Sequence, residues 1–570
     1  MAAPTIAEVH AALTAPGQMF EMDEVVIRGV PTRVWKNAPS NLRTVLDMSR
    51  GHGPATFLVY EDERLTFEEH FQRAATLAHR LVDEFNIEKG DRVAIAMRNF
   101  PEWVIAFWAA AAVGAVIVPL NAWWTAPELI YGITDSGSRL LFCDAERLDR
   151  LADQLPGLDL RATIVARPEE NQLSAGASLA AGALRFEDVL GAKPETALPD
   201  RSIEPEDDAT IFYTSGTTGQ PKGALGTQRN ICGNLMSLIF SSARAGMRAG
   251  GAGLPSGGGV QNSYLLSVPF FHATGCHSVL VANTAFGGKL VIMYKWDPER
   301  ALELIERERV TTFGGVPAMV WQVLESPSFG TRDVSSVQSV AYGGAPAPPE
   351  LVRRIEALFP GRTPSNGYGL TETSSVTTVN SGADYIAHPD SVGVPVPACD
   401  VKVVDENGDA LPAGSLGELW IKGPNVVKGY WNKPEATATT FTDGWLHSGD
   451  IARIDAEGFV YIVDRAKDMI IRGGENVYCV EVEAALFEHP DVVDAAVIGI
   501  PHHVLGEEVG AVVQRKSGSA VTEDVLKAHV AARLAGFKVP VQIWFWDEEL
   551  PRNPAGKILK RDLREQLVGG

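Results

Sequence analysis

The chain has 570 residues, 45% of them hydrophobic, which exceeds one ordinary domain and suffices for two or more units around a large core. With 50 basic against 71 acidic residues its formal charge is −21, which excludes nucleic acid and anionic membrane surfaces as general partners, so any polyanionic ligand must meet local basic groups. Five scattered cysteines, Cys143, Cys232, Cys276, Cys399 and Cys479, include no C-x-x-C pair, which argues against structural zinc and for a reduced, cytoplasmic protein.

In chain order, the N-terminus carries Glu8 and His10 among small residues and lacks the basic and apolar regions of a signal peptide. From about Ser40, strand-like runs such as Arg92–Ala96 and Arg139–Cys143 alternate with amphipathic helical stretches, the pattern of α/β layers with parallel-rich sheets. Trp103–Leu120 is uncharged and mostly apolar over 18 residues, near the length of a membrane span. Gly114 divides it into an Ala-rich helix and a β-branched strand ending at Pro119, so it reads as buried core without stable membrane insertion. Between Ala166 and Asp208 the composition turns to Pro, Glu, Ser, Ala and Gly, which suggests a loosely structured connection.

A buried strand end, Ala209–Tyr213, then delivers the chain into Thr214-Ser215-Gly216-Thr217-Thr218-Gly219-Gln220-Pro221-Lys222-Gly223. Its glycines let backbone N–H groups approach an anion, its hydroxyls donate further bonds, and Lys222 adds positive charge, so the loop suits phosphate. It is not a Walker A loop, because Pro221 precedes the lysine and Gly223 follows it. The glycine-rich stretch Arg244–Asn262 offers too little side chain for a core and reads as a mobile loop. Further on, Asn366-Gly367-Tyr368-Gly369-Leu370-Thr371-Glu372-Thr373 places an aromatic ring, a hydroxyl and a carboxylate within five positions. Tyr368 can lie on adenine, Thr371 can donate to a phosphate oxygen, and Glu372 can hold Mg²⁺.

The last hundred residues read as a separate unit, with strands at Asp491–Ile500, Glu508–Gln514 and Val541–Trp546 and a helix from near Thr522 that stops at Gly536. In Pro551–Gly570, where basic residues outnumber acidic ones, the charges read as a solvated helix face apart from Lys557, which is presented on a short turn.

The phosphate-type loop, the segment Tyr368-Gly369-Leu370-Thr371-Glu372 and the turn Pro554-Ala555-Gly556-Lys557, in that order, resemble the adenylate-forming superfamily, which includes acyl-CoA synthetases, luciferases and peptide-synthetase adenylation domains. The resemblance spans nearly the whole chain. It implies a large N-terminal α/β domain, residues 1–465, and a small mobile C-terminal α+β domain, 466–570, with Lys467 as hinge. It implies that Thr214 to Gly219 and Lys222 hold the ATP phosphates and that Gly343, Gly344 and Ala345 cradle adenine. Asn366, Gly367, Tyr368, Gly369 and Thr371 complete the nucleotide site, and Asp450, from Trp445–Asp450, takes the ribose hydroxyls with Arg465 beside it. Thr214 and Glu372 are the expected Mg²⁺ side chains. Phe271, His272 and Gly275 match the segment that gates the carboxylate substrate, with Gly315 and Val316 on the opposing wall. His272 is read equally as a substrate contact and as a packed histidine. Arg472, Gly473, Gly474 and Glu475 form a second glycine turn, either a plain hairpin or the wall of a CoA tunnel. Cys479 stands where many relatives carry proline, which leaves that loop less rigid.

The expected activity is an ATP-dependent acyl-CoA ligase working through acyl-AMP, with Lys557 screening two anions in the first step. The space left by Gly315, Gly343 and Gly369 favours a medium-to-long or bulky apolar acid. Transfer to an amine or a carrier protein, or nucleotide binding without catalysis, are the alternatives. The partners are a small carboxylic acid and CoA, and a homodimer is the default for a soluble oligomer.

Overall fold

The computed structural model describes residues 4–168, 182–214, 220–251, 261–345, 347–553 and 556–569. Ser215, Gly216, Thr217, Thr218 and Gly219 of the phosphate-type loop lie outside the described residues, as do Pro346, Pro554 and Ala555.

Two large sheets organise the first four hundred residues. One has seven strands among the described residues, ordered Lys222–Thr227, Asp208–Thr214, Val116–Pro119, Arg92–Ala96, Leu140–Asp144, Ala162–Ala166 and Leu184–Arg185. Every neighbouring pair is parallel except Asp208–Thr214 with Lys222–Thr227, whose antiparallel register sets Thr214 opposite Lys222. The nine-stranded sheet runs parallel through its centre, from Thr363–Tyr368 through Ser339–Gly343, Thr312–Gly315, Ser263–Leu266 and Lys289–Ile292 to Thr56–Tyr60. The parallel-rich α/β architecture expected from the alternation is therefore present.

Helix Pro101–Val113 shows why that alternation is legible. Pro101 occupies the first turn, where a missing N–H costs nothing, and Gly114 ends the helix in the left-handed region at φ 76°. All its residues are buried, and strand Val116–Pro119 follows with partners on both sides. Trp103 stacks on Phe107 at 5.5 Å and on Phe270 at 4.9 Å, tying this core to the segment that carries His272. Truncating Trp103 to alanine would cost about 3–5 kcal/mol. Among the described residues, no helix is long and apolar enough to cross a membrane.

Three expectations need correction. Helix Gln228–Arg248 runs into the glycine-rich stretch read as a mobile loop, and residues 252–260 of that stretch lie outside the described residues. Arg244 donates to the Val379 carbonyl at 2.6 Å and Arg248 pairs with Asp384, so tertiary partners outweigh the local glycine content. The connection between Ala166 and Asp208 contains strand Leu184–Arg185 and helix Phe186–Leu190, pinned by the buried Phe186. Helix Glu523–Ala531 ends before Gly536, which instead opens a 3₁₀ turn.

A third sheet follows, built on Asp400–Val404, Gly417–Lys422, Trp445–Ile454 and Val460–Arg465. The separate C-terminal domain pairs Val492–His502 with Gly506–Arg515 in one long antiparallel ladder and adds Gln542–Trp546 in parallel. Helices Cys479–Phe487 and Glu523–Ala531 bury Val482, Leu486, Leu526 and Val530 against Val497 and Val509.

Candidate active site

Two antiparallel pairings bring the nucleotide-type motifs together. Strand Trp445–Ile454 sets Asp450 opposite Arg465 of Val460–Arg465, and the Arg465 Nε donates to Asp450 Oδ1 at 2.7 Å. Tyr368, ending its strand, donates through its hydroxyl to Asp450 Oδ2 at 2.6 Å. Both carboxylate oxygens of Asp450, only 3% exposed, are thus directed by named donors. Burial, reinforced by Asp450, raises the Tyr368 hydroxyl well above its ordinary pKa, so it remains a donor.

Glu372 lies one turn further on, in the 3₁₀ segment Thr371–Thr373. Its Oε1 accepts the Tyr430 hydroxyl at 2.8 Å, and the Tyr430 ring centroid stands 5.3 Å from Lys222 Nζ. Residues 428–431 are held against the lysine strand by Trp431 N–H to the Gly223 carbonyl at 2.7 Å and Lys428 N–H to Leu225 at 2.9 Å. Tyr430 therefore joins Lys222 and, through the register, Thr214 to Glu372. Sequence reasoning missed Tyr430; its only signal was an aromatic pair, Tyr430-Trp431, directly after Gly429.

The C-terminal domain contributes Lys557 to the same region. Its turn is closed by Asn553 N–H to the Lys557 carbonyl at 2.8 Å and by Lys557 N–H to Asn553 Oδ1 at 3.0 Å. Gly556 adopts φ 80°, and a Cβ there would stand 2.5 Å from Val316 Cγ2, so the turn packs directly on the expected acid wall. The Lys557 side chain stays accessible to solvent. Its pKa is lowered by the protein mass around it and then by Arg465, against the pull of Asp450 and Glu372. His272 feels the same ammonium: burial first and Lys557 second lower its pKa to about 4, so it is neutral at physiological pH. His272 Nε2 is buried and has no hydrogen-bond partner among the described residues.

Other expected positions fall elsewhere. Gly343 and Gly369 do not open a cavity, contrary to expectation. A Cβ at Gly343 would meet the Gly367 carbonyl oxygen at 2.3 Å, and one at Gly369 the Ser375 carbonyl oxygen at 1.4 Å, so close backbone approach requires both glycines. Gly315, at φ 137°, faces Ser267 and Met319, and Gly275 lies against the Pro269 carbonyl. Phe271 is buried beside His272, their rings 5.0 Å apart. Asn366 is buried and Gly367 pairs with Gly343, while Gly344 is exposed at φ 75° beside Ala345. Gly473 and Gly474, both with positive φ, form an exposed hairpin turn between Arg472 and Glu475. Arg472 is held by Glu508 at 2.6 Å, and Gly473 N–H by the Leu505 carbonyl at 2.8 Å, both partners within the C-terminal domain. Lys467 is exposed.

The arrangement can hold a nucleotide by its ribose and phosphates and set an ammonium beside them. Two family models match: "AMP-binding enzyme" over residues 47–431 and "AMP-binding enzyme C-terminal domain" over 481–557. The chain belongs to the AMP-binding enzyme family. Within this adenylate-forming superfamily it is of the acyl-CoA synthetase type. It is 36% identical over 513 residues to a feruloyl-CoA synthase of Amycolatopsis sp, covering 90% of this chain and 96% of that one. To a long-chain-fatty-acid–CoA ligase of Bacillus subtilis (strain 168) it is 34% identical over 547 residues, 92% and 94% of the two chains. Among solved structures, the amide bond synthetase McbA of Marinactinospora thermotolerans superposes with a TM-score of 0.79 at 28% identity, over 92% of this chain and 99% of that one.

Proposed function

We propose that this AMP-binding enzyme is an ATP-dependent acyl-CoA ligase acting in two steps on an apolar carboxylic acid, medium-to-long in chain or bulky, a class supported by its likeness to a feruloyl-CoA synthase and a long-chain-fatty-acid–CoA ligase and not by space at the glycines. In the first, a carboxylate oxygen attacks the α-phosphorus of ATP and pyrophosphate leaves, giving acyl-AMP. In the second, the CoA thiol attacks the acyl carbon, its proton passes to solvent, and the acyl–phosphate C–O bond breaks to release AMP. The observation that carries this reading is the packing of the Gly556–Lys557 turn on Val316, with the Lys557 ammonium in the field of Arg465, Asp450 and Glu372. Nucleophile and transferring group are both anionic, so an ammonium between them stabilises charge where it develops. With its pKa lowered to about 4, His272 is a poor general base, and a carboxylate nucleophile needs none.

Asp450 accepts the ribose hydroxyls, with Arg465 and Tyr368 fixing its oxygens. Among the described residues no group of three or more His, Cys, Asp and Glu could hold a metal by itself. Glu372, joined through Tyr430 to Lys222 on the strand opposite Thr214, suits Mg²⁺ ligated mainly by phosphate and water, and Mg²⁺ there would neutralise the triphosphate. The domains divide at 465/466, and rotation about Lys467 would exchange the Lys557 turn for the Gly473–Gly474 turn, which lines the path of CoA.

The test is pyrophosphate release with ATP and Mg²⁺ across ferulate, 4-coumarate, 2-succinylbenzoate, decanoate and palmitate, with and without CoA, the products weighed by mass spectrometry. Acyl-CoA formation supports the ligase and ranks its acids. The likeness to an amide bond synthetase gives the second reading its weight: acyl-AMP that accumulates with CoA untouched, then yields amide on addition of an amine, would replace CoA as acceptor.

A further inference from the structure

Outside the nucleotide site, one buried cluster of charged groups spans the hinge. Asp464, 2% exposed, stands at the end of strand Val460–Arg465, paired with Ile451 of the third sheet. Its Oδ1 accepts the N–H of Arg465 at 2.7 Å, and its Oδ2 accepts the N–H of Cys479, the first residue of helix Cys479–Phe487 on the far side of Lys467. The residue preceding that helix, Tyr478, offers no side-chain cap, so a carboxylate reached through space does what a local Ser or Asp would ordinarily do. Glu483, one turn along the helix, holds Lys560 at 2.6 Å and also accepts Val497 N–H at 2.8 Å. Lys560 opens helix Lys560–Val568, three residues after Lys557. Cys479, expected to loosen its loop, is instead tied down, its Sγ donating to the Asp468 carbonyl at 3.0 Å.

We infer that Asp464 is a positioning residue: from the large-domain side of Lys467 its carboxylate clasps the first N–H of helix Cys479–Phe487, holds the small domain in the pose that presents Lys557, and is released in each turnover. The inference rests on the two-step reading above, in which the small domain turns about Lys467. Asp464 precedes the hinge and Cys479 follows it, so rotation there separates the two. The carboxyl is a fitting clasp because its attachment is weakly poised. Burial raises its pKa to about 6, while the Lys560 ammonium and the two N–H groups pull it back down, so desolvation offsets part of what the hydrogen bonds supply. The same carboxylate fixes the backbone of Arg465, which reaches Asp450, so closing the clasp and aligning the ribose side are one event. A proline at 479 has no N–H to donate, so a chain with proline there lacks the second half of the clasp.

Two variants of the full-length chain test this. Cys479→Pro deletes the N–H at a first helical position, which proline tolerates, together with the Sγ bond to Asp468, and Asp464→Ala deletes the acceptor while leaving that Sγ bond in place. Without substrate, tryptic cleavage after Lys467 should quicken roughly tenfold in both, the factor expected for one charge-assisted hydrogen bond. ATP–pyrophosphate exchange, with the acid of the panel that supports it best, should slow by a similar factor. Thioester formation from the synthetic adenylate of that acid should match or exceed the parent chain. Faster cleavage with slower exchange, in a protein that consumes no CoA at all, would uphold the clasp and remove CoA from the reading. Unchanged cleavage, or an equal fall in both half-reactions, would show that Asp464 only supports the fold and would overturn the inference.

Discussion

Tyr430 donates its hydroxyl to Glu372 at 2.8 Å while its ring lies over Lys222, so one aromatic side chain separates the carboxylate from the ammonium that would otherwise pair with it. Both charged groups are thereby kept for ligands. Tyr430→Phe removes the hydroxyl and leaves the ring. Adenylation should fall about tenfold, with a higher KM for the Mg²⁺ complex of ATP, because Glu372 loses a directed partner. An unchanged KM would show that Tyr430 only packs.

On the proposed mechanism, Lys557 serves the first step alone. Lys557→Ala should lower adenylation by about 10² to 10³ and leave thioester formation from supplied acyl-AMP intact, as measured by pyrophosphate exchange and by CoA consumption. Equal loss in both would show that the turn serves both steps.

If Lys557 acts as proposed, its lowered pKa should set the alkaline limb of adenylation. The rate falls as the ammonium deprotonates, so the limb should lie below the ordinary lysine value of 10.5, and Lys557→Arg should carry it upward, whatever its cost in rate. His272 adds no limb near 6.5, since it is already neutral well below that pH.

Stability should respond to acid through the buried histidines. His70 titrates near 3 and His277 near 4 in the folded chain, against 6.5 for the free side chain. Burial is the cause in both. Because the folded pKa is depressed, their contribution is present above about 6.5 and lost as pH falls toward 4. Urea unfolding should show midpoints dropping across that window, and His277→Gln should flatten the slope by up to about 1.4 kcal/mol per pH unit, one proton's worth. The same slope in both proteins would show that His277 is protonated in the fold.

Gly556 tests the seam between the domains. An alanine there would take on the strain of a positive φ and meet Val316 Cγ2 at 2.5 Å, so adenylation should fall while the melting temperature barely moves. Val316→Ala should restore part of the loss, and a double-mutant cycle gives the coupling.

Much of this was legible in the sequence. Gly114 split an apolar run at the point where helix becomes strand, and the runs Asp491–Ile500 and Glu508–Gln514 read as strands, which the fold pairs as Val492–His502 with Gly506–Arg515. Tyr368, Asp450, Arg465, Glu372 and Lys557 were reachable because each sits in a short segment of distinctive order. Tyr430 and Asp464 were not, since their meaning lies in partners 58 and 15 residues away that only the folded chain supplies. The glycines misled for the opposite reason. At Gly343 and Gly369 a missing side chain reads as open space, whereas carbonyl oxygens already fill it.

Because Gly556 rests on Val316, the wall proposed to receive the acid and the arm that carries Lys557 share a single surface. An acid that crowds Val316 therefore tilts the arm as well. Such a misfit would be weighed less in how tightly the acid sits than in how often the ammonium arrives on time, so discrimination among acids belongs to the speed of activation.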